Sequence, residues 1–378
     1  MDRNNSFLER NTYCVLGLPF DVTNLQGAVD KVNSSLESST PCFISTPNLN
    51  FVIATQSDTD FFDSVVESDL SVADGMPLIW VAKLLGVPIT ERVAGSTLFD
   101  ELSKQPRDKK IKVYFFGGQE GVAQRAHQQL NDTSVGMVSC GFYDPGFVSI
   151  DQMSDVAIIE EINAAKPDFI VVALGAKKGQ AWIQKNRGQL HAPVISHLGA
   201  VINFVAGGVE RAPIAWQRLG LEWVWRIKQE PALWKRYLLD GTAFIVLMMT
   251  KVLPLAVYDR VLKKRTGYNR VNRFEHKPEG RDTIRLSGSF RYGQLALIKK
   301  FLSSILERKQ ANDGLTTVVL DVAGVEYLDG AFIATLLLFQ QGLQVQDRAM
   351  VLMNVSTRIK WILFMNNVHK RFTVQKGE

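Results

Sequence analysis

Up to about residue 239, short apolar runs alternate with stretches of helical periodicity. The runs at residues 42–45, 112–116, 168–174 and 193–197 are dominated by apolar side chains, the pattern of strands buried on both faces. Between and around them, residues 58–67, 76–85, 121–130 and 156–165 place apolar positions at helical spacing. Strands separated by helices of this length predict a parallel sheet wrapped by helices.

The pattern changes near Pro231. Residues 231–264 read as helical, apolar and aromatic with basic flanks, and Trp216, Trp223, Trp225, Trp234 and Tyr237 cluster nearby. Aromatic rings beside Lys and Arg suit a helix lying at a membrane interface. The longest apolar stretch, residues 243–258, is interrupted by Lys251 and Pro254. It also falls short of the roughly 20 residues a spanning helix needs, so contact with the surface is expected in place of a crossing. Residues 266–281 are polar, with Gly and Pro, and read as a linker. After it, strands at 283–286, 317–322, 349–353 and 371–374 alternate with helices at 293–309, 331–345 and 356–366, a small α/β unit. The expected domains are therefore 1–239, a membrane-proximal helix at 240–265, the linker 266–281, and 282–378.

Composition narrows this picture. A chain of 378 residues with 46% hydrophobic and 21% charged content is neither disordered nor a disulfide-built miniprotein. Cys14, Cys42 and Cys140 are too few and too scattered for a disulfide framework and fit a reducing cytoplasm. Residues 1–10 are polar, so no secretory signal is expected. His127, His191, His197, His276 and His369 show no metal-ligand spacing, and neither a GxSxG elbow nor a GxxxxGK[ST] loop is found. No metal or cofactor is expected. The net charge of +5 is concentrated: residues 208–273 hold 13 Lys and Arg against 5 Asp and Glu, a local +8. Such a segment suits phosphates or an acidic membrane surface; no recognition motif points to nucleic acid.

Four places can carry chemistry. Thr46 and Asn48 follow the strand at 42–45, at the edge where α/β sheets bind ligands, although Asn48 also suits a helix N-cap. Asp74, in Ala73-Asp74-Gly75, is either a cap or a general base for an alcohol nucleophile, and Arg92 can neutralise phosphate. Gly117 and Gly118 lead from a strand into a helix, which allows backbone N–H groups to approach a diphosphate; a tight connection asks for glycine on its own account too. Gly175, Lys178 and Gln180 follow the strand at 168–172, where Lys177 and Lys178 suit phosphate or sugar binding.

In order, these motifs resemble the bacterial WecG/TagA/CpsF glycosyltransferases, the N-acetylmannosaminyltransferase group. The resemblance runs from Thr12 to Tyr237 and adds Gly141-Phe142-Tyr143, Gly199-Ala200, Arg211-Ala212-Pro213, Glu222-Trp223, Arg226, Glu230-Pro231 and Arg236-Tyr237. It implies a Rossmann-like α/β domain with a helical membrane-proximal appendage. It also implies inverting transfer, without a required metal, from a UDP-sugar to a lipid-linked acceptor such as N-acetylglucosaminyl-diphospho-undecaprenol, on the cytoplasmic face of the membrane. By this resemblance Asp74 is the base, Thr46 and Asn48 line its pocket, Arg211 belongs to the substrate-binding set, and Arg226 and Arg236 close over diphosphate. The chain departs from the family pattern at Lys177-Lys178-Gly179-Gln180, where Gly179 replaces a sugar-contacting glutamine. It departs again at Ile202-Asn203, Thr97 and Leu233.

The last unit resembles STAS domains through Leu286-x-Gly288, residues 318–321, Tyr327-Leu328-Asp329-Gly330 and Asn354-Val355-Ser356. The serine that accepts a phosphoryl group in STAS antagonists is Gly330 here, so a phospho-switch at that position is not expected. A protein partner for this unit and a homo-oligomeric state are compatible with the sequence. The competing functional reading is a non-catalytic, nucleotide-sugar-binding regulator.

Overall fold

The computed structural model describes residues 7–208, 212–213, 215–216, 220–262, 270–277, 282–308 and 317–375. Two compact units emerge. One comprises Thr23–Ile79 and Thr90–Ala243; the other comprises Met1–Val22, Trp80–Ile89 and Phe244–Glu378.

The first unit is built on six parallel strands: β3 (Cys42–Ser45), β4 (Leu70–Ser71), β5 (Ile111–Gly117), β6 (Met137–Tyr143), β7 (Phe169–Ala173) and β8 (Val194–His197), in the order β4-β3-β8-β7-β5-β6. Every residue of β7 is buried. Alternate side chains serve opposite faces, which is why the run is apolar without interruption. Val113, Phe115, Phe169 and Val171 pack into one core layer. Tyr114, Phe116, Ile170 and Val172 pack into the other, with Trp182 stacked on Phe116 at 4.2 Å between ring centroids. Because all strands run the same way, the residues that follow β3, β4, β5, β7 and β8 share the carboxyl edge of the sheet. The α/β, Rossmann-like expectation agrees with this sheet.

The second unit pairs a hairpin, β1 (Thr12–Val15) and β2 (Leu18–Asp21), with a five-stranded sheet. That sheet runs β13 (Thr373–Gln375), β12 (Ala349–Met353), β11 (Thr317–Leu328), β10 (Asp282–Phe290) and β9 (Arg273–Lys277), with only β9 antiparallel to its neighbour. Helix Gly330–Gln344 is buried nearly all round, because the hairpin packs on it as well as the sheet.

Three boundaries differ from the sequence reading. Residues 12–21, assigned to the 1–239 domain, fold with the C-terminal unit, since the apolar hairpin finds its cover on helix Gly330–Gln344. Residues 273–277, read as linker, form an edge strand; their polar composition suits an edge and hides the strand. There Phe274 stacks on Phe301 at 4.9 Å. Finally, Lys251 and Pro254 do not break the helix: Pro231–Leu262 is one helical segment of 32 residues, long and apolar enough by length and composition to cross a membrane. A wide turn at Met248–Val252, with the Leu253 N–H bonded to the Met248 carbonyl five residues back, carries the chain past the proline.

Candidate active site

Asp74 lies on the turn after β4 and is half-buried. Its N–H donates to the Pro47 carbonyl (2.9 Å), and the Val93 N–H donates to the Ala73 carbonyl (3.0 Å), so three loops are tied together. The Gly95 N–H reaches Asp74 Oδ2 at 3.4 Å. A Cβ on Gly95 would lie 3.5 Å from Thr46 Oγ1, which puts Thr46 on the same wall. Asn48 stands beside Gly75, and its Oδ1 accepts from the Phe51 N–H at 3.2 Å, the capping role that its position after β3 allows.

The electrostatics of Asp74 follow from this setting. Loss of solvent pushes its pKa up to about 6; Arg92 opposes the rise, Glu222 reinforces it, and the Gly95 amide and Arg226 oppose it. Arg92 is held by both carboxylate oxygens of Glu222, with Nη2 3.1 Å from Oε1. Arg226 is one helical turn from Glu230 (3.5 Å), and its Nε is buried with no hydrogen-bond partner among the described residues. A half-buried carboxylate of this pKa, flanked by two guanidinium groups, can take a proton from a hydroxyl while anionic oxygens are held close by.

Other expected site residues are placed differently. Gly117 and Gly118 have φ of 92° and 105°, a conformation that favours glycine. The Gly118 N–H is already bonded to the Ala173 carbonyl (2.9 Å), so the turn joins β5 to β7 in place of offering that amide to a diphosphate. Lys177 and Lys178 belong to the first turn of helix Ala176–Asn186. Lys177 pairs with Asp58, and Lys178 Nζ donates to the Val148 carbonyl at 2.5 Å. Gln180 is fully buried and donates through Nε2 to Ser45 Oγ at 2.9 Å, tying this helix to β3 and not lining a crevice. Gly175, by contrast, is open, with nothing near the place of a Cβ. The Arg236 guanidinium lies over Tyr237 at 5.2 Å, and its charge is felt by Asp240, which accepts from Asn50 at 3.3 Å. Arg211 lies outside the described residues.

Residues 13–256 match the model of the glycosyl transferase WecG/TagA/CpsF family, and residues 274–373 match a STAS domain model. The chain belongs to the WecG/TagA/CpsF family. It is a glycosyltransferase fused to a STAS domain. Similar proteins include an N-acetylglucosaminyldiphosphoundecaprenol N-acetyl-beta-D-mannosaminyltransferase of Bacillus spizizenii, 33% identical over 47% of this chain and 67% of the relative. Proteins of the same name from Bacillus subtilis (27% identical, 60% and 87% covered) and Staphylococcus aureus (25%, 59% and 85%) are also similar.

Two residues of this glycosyltransferase have roles that their sequence context does not reveal, although Glu222 stands in one of the family motifs. Glu222 is remote from Arg92 along the chain, and only the fold reveals the pair. His197, at the end of β8, is buried, and its Nε2 has no partner among the described residues. The one signal for it in the sequence is indirect: glycine at both 179 and 199, the two positions that flank its ring.

The STAS domain carries its own departure. A Cβ on Gly330 would stand 2.6 Å from Tyr13 Cδ1 and 2.7 Å from the Cys14 carbonyl oxygen. The hairpin occupies the space that a serine side chain at this position would need.

Proposed function

We propose that this enzyme transfers, with inversion, a hexosyl or N-acetylhexosaminyl group from a UDP-sugar to a polyprenyl-diphosphate-linked sugar in cell-surface polysaccharide synthesis. The observation that carries the reading is Asp74, a carboxylate poised near pH 6 between Arg92 and Arg226. The Asp74 carboxylate takes the proton of the acceptor hydroxyl, and the oxygen attacks the anomeric carbon. The bond to UDP breaks on the opposite face, and UDP leaves with the electron pair. Thr46 and Asn48 border the base, and Arg226, whose Nε has no partner among the described residues, is suited to the leaving diphosphate. The relatives' name, which specifies an N-acetylglucosamine-diphosphoundecaprenol acceptor, supports a lipid-linked substrate here.

Peripheral attachment to the inner face of the membrane belongs to the same reading. Leu238, Leu239, Ile245, Val246 and Met249 are exposed on the helical segment Pro231–Leu262, and Trp223 and Trp234 are exposed near its start. Lys228 lies over Trp225 at 5.5 Å and Lys235 over Trp234 at 5.8 Å, pairing rings with cations as an anionic interface favours. The test is a panel of UDP-sugars incubated with a lipid-diphosphate-linked N-acetylglucosamine acceptor and read by mass spectrometry. Wild-type enzyme should yield a mass gain of one sugar residue, and Asp74→Asn should form that product about a hundredfold or more slowly. Ligand binding without product from any donor would favour the regulator reading.

A further inference from the structure

His197 ends β8, a central strand of the parallel sheet, and is 8% exposed. Its imidazole is seated between two residues without side chains. A Cβ on Gly179 would collide with the ring at Cδ2 and stand 3.0 Å from Cγ; one on Gly199 would stand 3.2 Å from Nε2. Phe51 borders the ring with centroids 6.3 Å apart. The slot is therefore shaped for this side chain, yet Nε2 is buried without a hydrogen-bond partner among the described residues. A buried ring nitrogen left unpaired is costly, so it calls for a partner that the described residues do not supply. Burial lowers the His197 pKa to about 4, so at neutral pH the ring is uncharged, with one nitrogen a donor and the other an acceptor.

The surroundings identify the ligand. The next residue, Leu198, packs against Gly95, whose amide holds Asp74. Phe51 lies in the first turn of helix Leu49–Ala54, its N–H bonded to the Asn48 cap, and Gly179 lies one turn into the helix that starts after Gly175. His197 thus stands between the wall that carries the base and the wall that follows β7. A neutral imidazole there suits an uncharged polar group, and the anionic oxygens of the leaving diphosphate are better matched by Arg226.

We propose that His197 is a specificity-determining residue whose Nε2 exchanges a hydrogen bond with a hydroxyl or acetamido group of the transferred sugar. This rests on the transfer reading above. A site built to hydrogen-bond one substituent discriminates strongly against donors that lack it, because the buried nitrogen is then left unpaired. The Gly179–His197 arrangement accordingly sets which sugar the enzyme prefers.

The test uses the full chain, a panel of UDP-sugars and the lipid-diphosphate acceptor. His197→Phe keeps a flat ring in the slot and removes the nitrogens; His197→Asn keeps a polar group. For the preferred donor, His197→Phe should lower kcat/KM by roughly 10- to 1,000-fold and change the ranking of donors. His197→Asn should retain part of the activity, and the affinity for UDP alone should not change. An unchanged donor ranking in folded His197→Phe overturns the proposal. Should that variant fail to fold, nitrogen-15 histidine NMR of the wild-type chain decides the matter. The His197 resonance, identified by its loss in His197→Asn, should move with a UDP-sugar and not with UDP; an equal response to both overturns the proposal. Absence of product from wild-type enzyme with every donor would count against the transfer reading itself, and the NMR comparison would still decide whether His197 meets the sugar.

Discussion

Arg92 is gripped by Glu222 through both carboxylate oxygens, and the two charges act on Asp74 in opposite directions. The arginine favours the ionised base, the glutamate and desolvation both disfavour it, and desolvation is the largest of the three effects. The pair therefore fixes a guanidinium beside the base without removing the base's affinity for a proton.

Opposite substitutions should move the pH profile in opposite directions. In the fold Asp74 titrates at about 6, so kcat/KM should rise with pH through that region as the base ionises. Glu222→Gln removes the nearby negative charge and should shift the acid limb to lower pH. Arg92→Gln removes the positive charge and should shift it higher. Acid limbs that do not move in either variant would dissociate the limb from Asp74.

Asp74→Asn should cost about 10²–10⁴-fold in kcat/KM, the usual contribution of a general base. Its effect on stability has a definite sign. The carboxyl ionises near 3.8 when unfolded and near 6 when folded, so the folded state resists ionisation. Below the lower value both states are protonated and the difference vanishes; above the upper value the full penalty is present. Asp74→Asn should therefore gain Tm relative to wild type as pH rises from 4 to 7, measured by thermal melts across that range. A gap that stays constant with pH would show that the shift is absent.

Gly330→Ala and Gly330→Ser should both destabilise the chain by about 1–3 kcal/mol, the range for overfilling a packed site, because the added Cβ meets the Tyr13 ring and the Cys14 carbonyl. Urea unfolding of the two variants reads this directly. A neutral Gly330→Ser would mean that the hairpin yields readily and that a hydroxyl can be housed there.

Leu239, Val246 and Met249 are spaced seven and three residues apart, so they share a helix face, and all three are exposed. Replacing the three by Glu should lower co-sedimentation with anionic phosphatidylglycerol vesicles by roughly a hundredfold or more, since each apolar side chain contributes about 1.5–3 kcal/mol on burial. Unchanged binding would remove this face as the membrane contact.

Four strands of the sheet, β3, β5, β7 and β8, were legible in the sequence because they are buried on both faces and read locally as apolar runs; β4 is two residues long and β6 is only partly buried, so neither shows as such a run. Asp74 was legible for a similar reason: its turn, its glycine and the strand before it are contiguous. What escaped was set by contacts remote along the chain. Glu222 meets Arg92 only after the fold closes, and Lys178 and Gln180 lie on a helix where Lys178 Nζ is taken up by the Val148 carbonyl and Gln180 Nε2 by Ser45. The strand Arg273–Lys277 was hidden by charge, which edge strands carry to stay unpaired on one side. His197 was hidden by its isolation, since the residues that frame its ring are glycines that announce nothing in sequence except the absence of side chains.

The hairpin gives the chain an order of assembly. Leu18 and Phe20 are synthesised long before helix Gly330–Gln344, yet those two side chains are wholly buried in the folded protein and the hairpin rests on that helix. The six-stranded sheet has all its strands once residue 197 has emerged, whereas the hairpin lacks its cover until residue 344 has been made. A chain cut before residue 317 would still hold every strand of that sheet while leaving the hairpin without its helix. The STAS domain is thus inherited with the enzyme as a folding requirement of residues 12–21.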